Sequence, residues 1–583
     1  MRVCLLLFLT GLSLAAAPPA KPAPAPGGQA RAWLRSLSLR QRAAQLVMAP
    51  CYGDFPNPES PAYKEFVALV RDLRIGGLII LNRVQSGQVQ RADPYQSAAF
   101  LNRMQRLARI PLLAGGDFER GASMRMTSTV PYPHLMAYGA ANDLDLTRAL
   151  GAATAREARA MGVQWIFAPD ADVNNNPDNP IINIRSFGQD PAVVSAHVRA
   201  FIEGARAAKS SPVLTTVKHF PGHGDTATDS HIGLGSVTAS RERLAEVELP
   251  PFQAGIDAGA DSVMTAHLAV QALEPEQIPA TVSRNVLTGL LREQMGFHGI
   301  ITTDAMDMQG LAKMFPPGEA AVRAIEAGAD LLLIPRDPRA AVDAVVAAVK
   351  SGRLTRERID RSVLKLLEAK VRVGLHRQKL VNLEGIGDVL NSPADAAAAA
   401  QVAERAVTLV RNEGGVLPLK EPESACWFVL AAGRFSMQGR DLMAAVQARS
   451  PQARITLLDP QLPAAEFESL AAAASACSTV VAATYVTASA YRGNVALAGG
   501  YNGFMERLLA AGKPVVFLSL GNPYLLRAYP SVAAYLATFS TAPPSESAAV
   551  KAVYGEIPVT GRLPVSIPGL ATLGFGIKME KLR

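Results

Sequence analysis

A chain of 583 residues with 49% hydrophobic and 19% charged residues is long enough for two or more domains and too apolar for wholesale disorder. The formal net charge of +8 is scattered, without basic runs or interleaved aromatic residues, which argues against a nucleic-acid-binding protein. We interpret the charge as a contribution to solubility, with weak attraction to anionic polymers such as cell-wall material.

The first 17 residues have the pattern of a secretory signal peptide. Arg2 precedes an apolar run, and the segment ends in Ala15-Ala16-Ala17. The run is shorter than the ~20 residues that span a bilayer, so we expect cleavage and a secreted or periplasmic protein without a membrane span. A buried N-terminal helix is the alternative. Residues 18–30 are rich in Pro and Ala and predict an extended spacer.

Three cysteines, Cys51, Cys426 and Cys477, lie outside this signal segment. Their wide spacing is typical of neither a disulfide framework nor a zinc site. We therefore expect buried thiols, with a bridge between Cys426 and Cys477 as the alternative.

Residues 31–375 are predicted to form a (β/α)8 TIM-type barrel. Eight apolar runs alternate with helix-like segments, which is typical of parallel strands buried on both faces. Eight such units in roughly 300 residues match the size of this fold, and an open doubly wound sheet is the alternative. The runs cover residues 45–49, 77–81, 111–114, 165–168, 213–217, 262–265, 299–302 and 331–334.

A second, smaller domain is predicted over residues 395–583. A closing helix over 355–375 ends the barrel, and residues 376–394 form a polar linker. An Ala-rich helix and four further apolar runs then predict an α/β/α sandwich of parallel strands, whose loops carry few candidate catalytic groups. Those runs cover residues 427–430, 455–458, 480–483 and 515–518.

Ionisable residues follow six of the eight barrel runs. One such residue alone would more often be a surface group. Because barrel enzymes place their active sites at the C-terminal ends of the strands, the convergence of six predicts an active site there. The residues are Asp117, Glu119, Asp170, Asp172, Lys218, His219, His267, Asp304 and Arg336.

An Asp-x-His pair, Asp229 and His231, lies in a histidine-rich segment, residues 218–231. In an extended segment, residues i and i+2 point to the same side, so Asp229 can bind one ring nitrogen of His231. The other nitrogen would then serve as a general acid or base. A chance pair on a solvated loop is the alternative.

The same segment also contains residue types that bind metals. His219 and His223 would share a face only on a helix, however, and Pro221 and Gly222 prevent a helix here. No Cys or Glu completes a zinc-type set. We therefore predict no metal and no cofactor.

Asp304 directly follows the seventh apolar run. A carboxylate at that position suits a nucleophile that attacks the anomeric carbon of a sugar and forms a covalent intermediate. A purely structural role is the alternative. Asp307 is expected to cap the next helix.

A further set of charged residues suits sugar hydroxyls, because paired donors and acceptors can bind vicinal hydroxyls in a bidentate manner. Each of them alone would more often be a salt-bridge partner. The set is Asp117, Arg125, Arg185, Lys218 and His219.

Residues 218–231 (KHFPGHGDTATDSH) and 303–308 (TDAMDM) resemble family 3 glycoside hydrolases, in particular their β-N-acetylglucosaminidase branch. Residues 183–191 (NIRSFGQDP) and 561–568 (GRLPVSIP) are further matches, so the resemblance spans nearly all of the chain after the signal segment. It implies Asp304 as nucleophile, Asp229 and His231 as an acid/base dyad on a mobile loop, and retention of configuration. It also implies that the five residues of the hydroxyl-binding set hold N-acetylglucosamine.

One departure from the family's pattern concerns the segment after Asp117. The family usually has two glycines after the acidic residue that follows this aspartate, whereas this chain has Glu119-Arg120-Gly121-Ala122. The spacing to Arg125 is kept, so the resemblance still assigns Arg125 to the sugar.

The resemblance therefore implies a β-N-acetylhexosaminidase that releases terminal N-acetylglucosamine from peptidoglycan fragments or chitin oligomers. A histidine in place of one of the two usual carboxylates puts less negative charge near an attacking anion, so phosphate is an alternative acceptor to water. A family 3 β-glucosidase and a non-catalytic wall-binding relative are the rival hypotheses. We expect a carbohydrate substrate and no nucleic-acid partner, and a monomer is the default expectation for the oligomeric state.

Overall fold

The computed structural model describes residues 26–85 and 88–582. The signal peptide predicted over residues 1–17 lies outside this range. The first described element is a helix, Pro26–Arg35, so residues 26–30 of the predicted spacer are helical. Ala30 of this helix is buried, because the helix packs against Arg356–Arg372. Within the described residues, no helix is both long and apolar enough to cross a membrane.

Eight parallel strands form the first domain. Strands β1 to β7 pair in chain order, β8 pairs with β1, and a bridge between Thr302 and Leu331 joins β7 to the segment that leads into β8. The predicted barrel is confirmed, and the open-sheet alternative is wrong because the sheet returns to its first strand. The strands are β1 Val47–Cys51, β2 Gly77–Ile80, β3 Leu113–Gly116, β4 Trp165–Ile166, β5 Leu214–Phe220, β6 Ser262–Thr265, β7 Ile300–Thr302 and β8 Leu332–Leu333.

Helices connect these strands, and several begin with proline after a Ser or Asp whose side chain accepts a backbone N–H, as at Pro94, Pro191 and Pro338. Besides Pro26–Arg35, the α-helices are Leu39–Gln45, Pro61–Val67, Pro94–Leu107, Leu135–Ala141, Leu144–Ala160, Pro191–Ala207, Arg241–Arg243, Leu249–Asp257, Gln309–Ala312, Pro317–Ala327, Pro338–Lys350 and Arg356–Arg372. The π-helical segments are Ala68–Leu73, Leu244–Glu248 and Asn285–Gln294, and the 3₁₀ turns are Ala122–Met124, Asn183–Arg185 and Ala280–Val282.

Two small ribbons lie outside the barrel wall. Arg83–Gln85 pairs antiparallel with Gln88–Gln90. Gly235–Val237 pairs in parallel with Leu268–Val270, which follows the end of β6. The second ribbon therefore anchors the segment that follows His231 to the barrel rim.

The second domain is a six-stranded mixed sheet with helices. The order is β9-β14-β13-β12-β10-β11, with β9 antiparallel to β14 and the other pairs parallel. The predicted sandwich is confirmed, but the expectation of only parallel strands is wrong at the β9 edge. The strands are β9 Thr408–Asn412, β10 Cys426–Leu430, β11 Arg454–Leu458, β12 Val480–Val486, β13 Val515–Gly521 and β14 Ala534–Ala537.

The α-helices of the second domain are Pro393–Ala406, Arg440–Arg449, Ala464–Ala473, Tyr501–Ala510 and Pro543–Val553. Its 3₁₀ turns, with one in the linker, are Glu384–Ile386, Glu413–Gly415, Pro422–Ser424, Ala474–Ala476 and Pro523–Arg527.

Cys426 and Cys477 form a disulfide across a Cα–Cα distance of 5.8 Å. The expectation of buried thiols is therefore wrong for this pair, because Cys426 opens β10 and Cys477 lies just before the neighbouring strand β12. Cys51, at the end of β1, is a buried free thiol as expected.

The loops at the C-terminal ends of the second domain's strands face the rim of the barrel. After β13, the Tyr524 hydroxyl accepts a hydrogen bond from Asn174 at 2.9 Å, and Arg527 pairs with Asp178 at 2.7 Å. After β14, the Ser540 hydroxyl accepts the backbone N–H of His134 at 3.2 Å. The rim of the barrel is thus bordered by the second domain.

Candidate active site

Lys218, near the end of β5, is the centre of a buried set of charges. Its ammonium lies 2.7 Å from Glu119, 3.1 Å from Asp117 and 3.7 Å from Asp170, and its side chain is only 2% exposed. Burial alone would lower the pKa of Lys218, but the facing carboxylates more than offset burial and raise it. The lysine is therefore held in its charged form.

Two arginines complete this set. Arg125 binds Asp117 at 2.9 Å. Arg185 donates to both oxygens of Glu119, at 2.8 and 3.0 Å, and lies 3.3 Å from Asp170. The bidentate geometry between Arg185 and Glu119 is the strongest form of such a pair. We call Asp117, Glu119, Arg125, Asp170, Arg185, Lys218 and His219 the charged cluster.

The cations of the charged cluster keep two of its carboxylates ionised. Burial would raise the pKa of Asp117, but Lys218 and Arg125 outweigh burial and lower it. Burial likewise opposes ionisation of Glu119, whose pKa is nevertheless held well below its usual value by Arg185 and Lys218. The cluster therefore offers fixed charges of both signs to a bound polar ligand.

His219 joins the charged cluster as a neutral ring. Its Nδ1 lies 2.8 Å from Asp172, and its Nε2 lies 3.3 Å from Arg185. Burial and then the charges of Arg185 and Lys218 lower the pKa of His219 to about 3. Because a guanidinium can only donate, Nε2 must accept, so the proton is on Nδ1 and points to Asp172.

Asp229 and His231 form the contact that the sequence predicts. The Nδ1 atom of His231 lies 2.8 Å from an Asp229 oxygen. Burial would raise the pKa of Asp229, but the hydrogen bonds from His231 outweigh burial and lower it. The expected extended backbone is wrong, however: the same Asp229 oxygen also accepts the backbone N–H of His231 at 2.9 Å, which makes a tight turn.

Few contacts hold the segment that carries this dyad, residues 225–234, which we call the dyad loop. The Ser230 carbonyl accepts the backbone N–H of Gly310 at 3.1 Å, and the Ser230 hydroxyl lies 3.0 Å from His223 Nε2. The Ile232 carbonyl accepts a hydrogen bond from Lys313 at 3.0 Å. His231 keeps 25% of its side chain exposed, in contrast to Lys218.

Tyr491 reaches the dyad loop from the second domain, between β12 and the helix Tyr501–Ala510. Its backbone N–H donates to the second oxygen of Asp229 at 2.8 Å, and its ring centroid lies 5.3 Å from that of His231. Sequence reasoning missed this residue. Tyr491 is an uncharged residue in an irregular loop more than 250 positions after Asp229, and nothing in the local sequence signals the contact.

Asp304 follows β7 at the rim and is partly exposed. One of its oxygens accepts the backbone N–H of Ala305 at 2.7 Å. The pKa of His267 is lowered, mainly by burial. Asp304 opposes this shift and His231 adds to it, so both residues lie close enough to His267 to influence its pKa. Within the described residues, Asp304 and His231 share no direct hydrogen bond.

Arg336 and Asp307 both differ from what the sequence indicates for them. Arg336 is exposed and takes no part in the charged cluster. Asp307 is exposed, and the expectation that it caps the next helix is wrong: Gln309–Ala312 begins after Met308, without a side-chain cap.

The departure in the Glu119-Arg120-Gly121-Ala122 segment leaves Arg125 in place. Gly121 has a φ of +82°, a conformation that favours glycine, and the turn Ala122–Met124 follows directly. Arg120 turns away to donate to the Tyr132 carbonyl at 3.4 Å. Arg125 therefore still meets Asp117.

Asp170, Asp172 and His219 form the candidate metal-binding group in the described part of the chain, with ligand atoms within 4.8 Å of one another. The donor set suits a cation poorly, because Lys218 and Arg185 already face Asp170 at 3.7 and 3.3 Å. The His219 Nδ1 proton also points to Asp172. The absence of a metal from the reaction stays a prediction.

Comparison with protein families gives two matches. The model described as the glycosyl hydrolase family 3 N-terminal domain matches residues 38–369. The model described as the C-terminal domain of the same family matches residues 407–575.

Individual relatives agree with these matches. A Cellulomonas fimi protein named beta-N-acetylglucosaminidase/beta-glucosidase is 31% identical over 397 residues, which are 67% of this chain and 68% of that protein. A Xanthomonas euvesicatoria protein named beta-hexosaminidase is 34% identical over 273 residues, 45% of this chain and 76% of that protein. The solved structure of a family 3 beta-N-acetylglucosaminidase from Paenibacillus sp. is 32% identical, with a TM-score of 0.81, and the match covers 92% of this chain and 100% of that one.

Proposed function

Because this chain belongs to glycoside hydrolase family 3, we propose that it removes terminal β-linked N-acetylglucosamine with retention of configuration, from peptidoglycan fragments or chitin oligomers. The names of the relatives from Cellulomonas fimi, Xanthomonas euvesicatoria and Paenibacillus support the sugar. Peptidoglycan fragments and chitin oligomers are both proposed as substrates on the basis of the sequence resemblance.

In the first step, Asp304 attacks the anomeric carbon while His231 protonates the departing glycosidic oxygen. The bond from the anomeric carbon to that oxygen breaks, and a glycosyl ester with Asp304 forms. Because Nδ1 of His231 is bound to Asp229 at 2.8 Å, Nε2 is the nitrogen free to give the proton. Asp229 stabilises the imidazolium before the transfer.

In the second step, the neutral His231 takes a proton from water, whose oxygen attacks the anomeric carbon. The ester bond breaks, Asp304 is released as a carboxylate and the sugar leaves with its original configuration. Two successive displacements at the anomeric carbon, each with inversion, account for retention.

The charged cluster holds the sugar during both steps. Asp117 and Arg125 keep 19% of their side chains exposed, whereas Lys218 behind them is almost fully buried. The outer pair can therefore bind hydroxyls directly, while the buried lysine fixes the orientation of the Asp117 carboxylate.

The hydrogen bond between Asp229 and His231 carries this proposal, because it orients a proton-transfer group at the same rim as a carboxylate nucleophile. The test compares hydrolysis of nitrophenyl N-acetylglucosaminide with that of nitrophenyl glucoside. We expect the N-acetylglucosaminide to be cleaved faster. Faster cleavage of the glucoside would favour the β-glucosidase rival, and cleavage of neither would favour a wall-binding relative.

Hydrolysis is proposed over phosphorolysis, since both matching family models are described as glycosyl hydrolase domains. Incubation with an N-acetylglucosaminide in phosphate buffer should release free N-acetylglucosamine and no sugar 1-phosphate. Detection of the sugar 1-phosphate would overturn this part of the proposal.

Secretion or export to the periplasm is proposed from the N-terminal pattern. The disulfide between Cys426 and Cys477 supports this location, because disulfides persist mainly in oxidising compartments. N-terminal sequencing of the protein from a cell that expresses the full chain should show a new terminus near residue 18, and an intact Met1 would contradict export by cleavage.

A further inference from the structure

We propose that Tyr491 of the second domain is a positioning residue that holds Asp229 and His231 in their proton-transfer geometry. This inference rests on the proposed function, because it assigns the second domain a part in the same acid/base step. It adds a residue that lies outside the barrel that carries every other group of the site.

The first observation concerns the two oxygens of the Asp229 carboxylate. One oxygen is occupied by His231, through its ring nitrogen at 2.8 Å and its backbone N–H at 2.9 Å. The other accepts the backbone N–H of Tyr491 at 2.8 Å. The second domain therefore fixes the rotation of the carboxylate that orients His231.

The second observation is the packing of the Tyr491 ring. It meets the His231 ring edge-on, with centroids 5.3 Å apart and an angle of 62° between the planes. Edge-to-face packing of this kind favours one orientation of the imidazole. The Tyr491 side chain is nevertheless 65% exposed, so little else in the second domain accounts for the position of this ring.

The third observation is the backbone of Tyr491. It has a φ of +66°, a left-handed conformation that costs energy for a residue with a side chain. Residues kept in such conformations tend to lie at functional sites. Here the conformation belongs to the residue that directs both an amide N–H to Asp229 and a ring to His231.

We call the two contacts of Tyr491, its N–H with Asp229 and its ring with His231, the clamp. Only a chain that contains the second domain can form it. The Xanthomonas relative matches over 273 residues that already make up 76% of its length, which leaves too little chain for a domain as long as residues 407–575. The contact of Tyr491 with Asp229 and His231 is therefore an addition to a reaction that the barrel residues carry out. Loss of this contact should slow the proton transfer without abolishing it.

The test separates the ring of Tyr491 from its backbone. Tyr491→Gly removes the ring, keeps the amide N–H and accepts a positive φ without strain. Tyr491→Phe keeps the ring and serves as the conservative rescue. Phe435→Ala is the matched control, because it removes another exposed aromatic ring from a different loop of the same domain.

The measurement is kcat/KM for two N-acetylglucosaminides that differ in the leaving group. A dinitrophenolate departs without a proton, whereas the sugar alcohol of a disaccharide needs one from His231. For the disaccharide, Tyr491→Gly should lower kcat/KM by about 3- to 10-fold, the worth of one aromatic contact. For the dinitrophenyl substrate the loss should stay under about 2-fold, with Tyr491→Phe close to the native chain on both.

Three outcomes would overturn the proposal. Equal losses on both substrates would show a merely structural role. A change confined to KM for the disaccharide would make Tyr491 a binding surface for the leaving group. No loss at all would show that the Tyr491 ring does not position His231.

A second measurement keeps the proposal separate from the proposed function. If the native chain cleaves neither substrate, the proposed function fails, and the clamp is then judged by NMR. The ring proton signal of His231, assigned by its loss in His231→Ala, should shift its position in Tyr491→Gly. An unchanged signal would overturn the clamp.

Discussion

The charged cluster and the dyad loop both belong to the candidate site, yet they are built in opposite ways. In the cluster, every carboxylate faces at least one cation from another strand end, and Lys218 is almost fully buried. In the dyad loop, His231 is a quarter exposed and has one charged partner, Asp229. The contrast teaches that a sugar can be held by a buried set of paired charges while the group that moves protons stays partly exposed and has one charged partner.

The buried set derives from the barrel itself. Parallel strands bring their C-terminal ends to one rim, and each short strand end orients its side chain by backbone hydrogen bonding. The dyad loop lies beyond that framework and depends on contacts from Gly310, Lys313 and the second domain. We expect substitutions in the two regions to separate stability from turnover.

The largest effect is expected at Asp304, which lies between the two regions and reacts with the sugar. Asp304→Asn should lower turnover by roughly 10⁴-fold or more, because an amide is a poor nucleophile at the anomeric carbon. Steady-state hydrolysis of the nitrophenyl N-acetylglucosaminide measures this. Asp388→Asn, at an exposed carboxylate in the linker between the two domains, is the control and should stay near native activity. Native turnover in Asp304→Asn would reject the nucleophile.

His231→Ala should have the next largest effect. Loss of the general acid should lower kcat/KM for a disaccharide by very roughly 10²–10⁴-fold, with a smaller loss for a dinitrophenyl leaving group. The unfolding temperature should change little, since the ring is partly exposed and held by few contacts. The exposed His298 provides the matched His→Ala control. Equal losses for both leaving groups would contradict the acid role.

Lys218→Met tests the other side of the contrast. Removal of this buried ammonium leaves Asp117 and Glu119 without their shared cation, and should destabilise the fold by about 3–5 kcal/mol. Chemical denaturation measures this change. Lys350→Met, at an exposed lysine, should stay within about 0.5 kcal/mol of the native chain. A small change at Lys218 would show that the cluster does not need this buried cation.

Acid should destabilise the fold through two buried histidines, His219 of the charged cluster and the nearby His223, with a smaller effect per pH unit. Burial holds the pKa of both His219 and His223 at about 3, below the usual 6.5, so both are neutral in the folded state. Between pH 6.5 and 3 the unfolded chain binds protons that the folded chain does not, and stability present above pH 6.5 is lost as the pH falls. The slope should be about 1.4 kcal/mol per pH unit for each proton.

Denaturant unfolding at several pH values, in the native chain and in His223→Gln, checks this slope. Between pH 6.5 and 3, the slope of the unfolding free energy against pH should be smaller in the variant by the contribution of about one proton. An identical slope in the two proteins would show that His223 is not held neutral in the folded state.

Sequence reasoning reached most of the fold because buried parallel strands leave continuous apolar runs. All eight barrel strands overlap a predicted run. Strands β9 and β14 were not predicted. Strand β9 ends in polar residues (TLVRN), and strand β14 resembles an Ala-rich helix (AYLA). Short segments of this kind take their conformation from the sheet they join.

Sequence reasoning about the site succeeded where local geometry decides. The contact between Asp229 and His231 spans two residues, and the charged strand ends had to converge once the barrel closed. The pairing of Glu119 with both Lys218 and Arg185 could not be predicted, because it depends on which strand ends become neighbours in space. The contact of Tyr491 with the dyad depends on how the two domains pack together, and short-range sequence patterns carry no information about that packing.

The covalent step offers the most direct test of the central claim, that Asp304 attacks the sugar with His231 as its acid/base partner. The native chain would be incubated with a slow-reacting fluorinated N-acetylglucosaminyl fluoride, digested and analysed by peptide mass spectrometry. We predict one added sugar on the peptide that contains Asp304, and no label in Asp304→Asn. A label on another carboxylate, or initial release of the product with inverted configuration, would contradict the account.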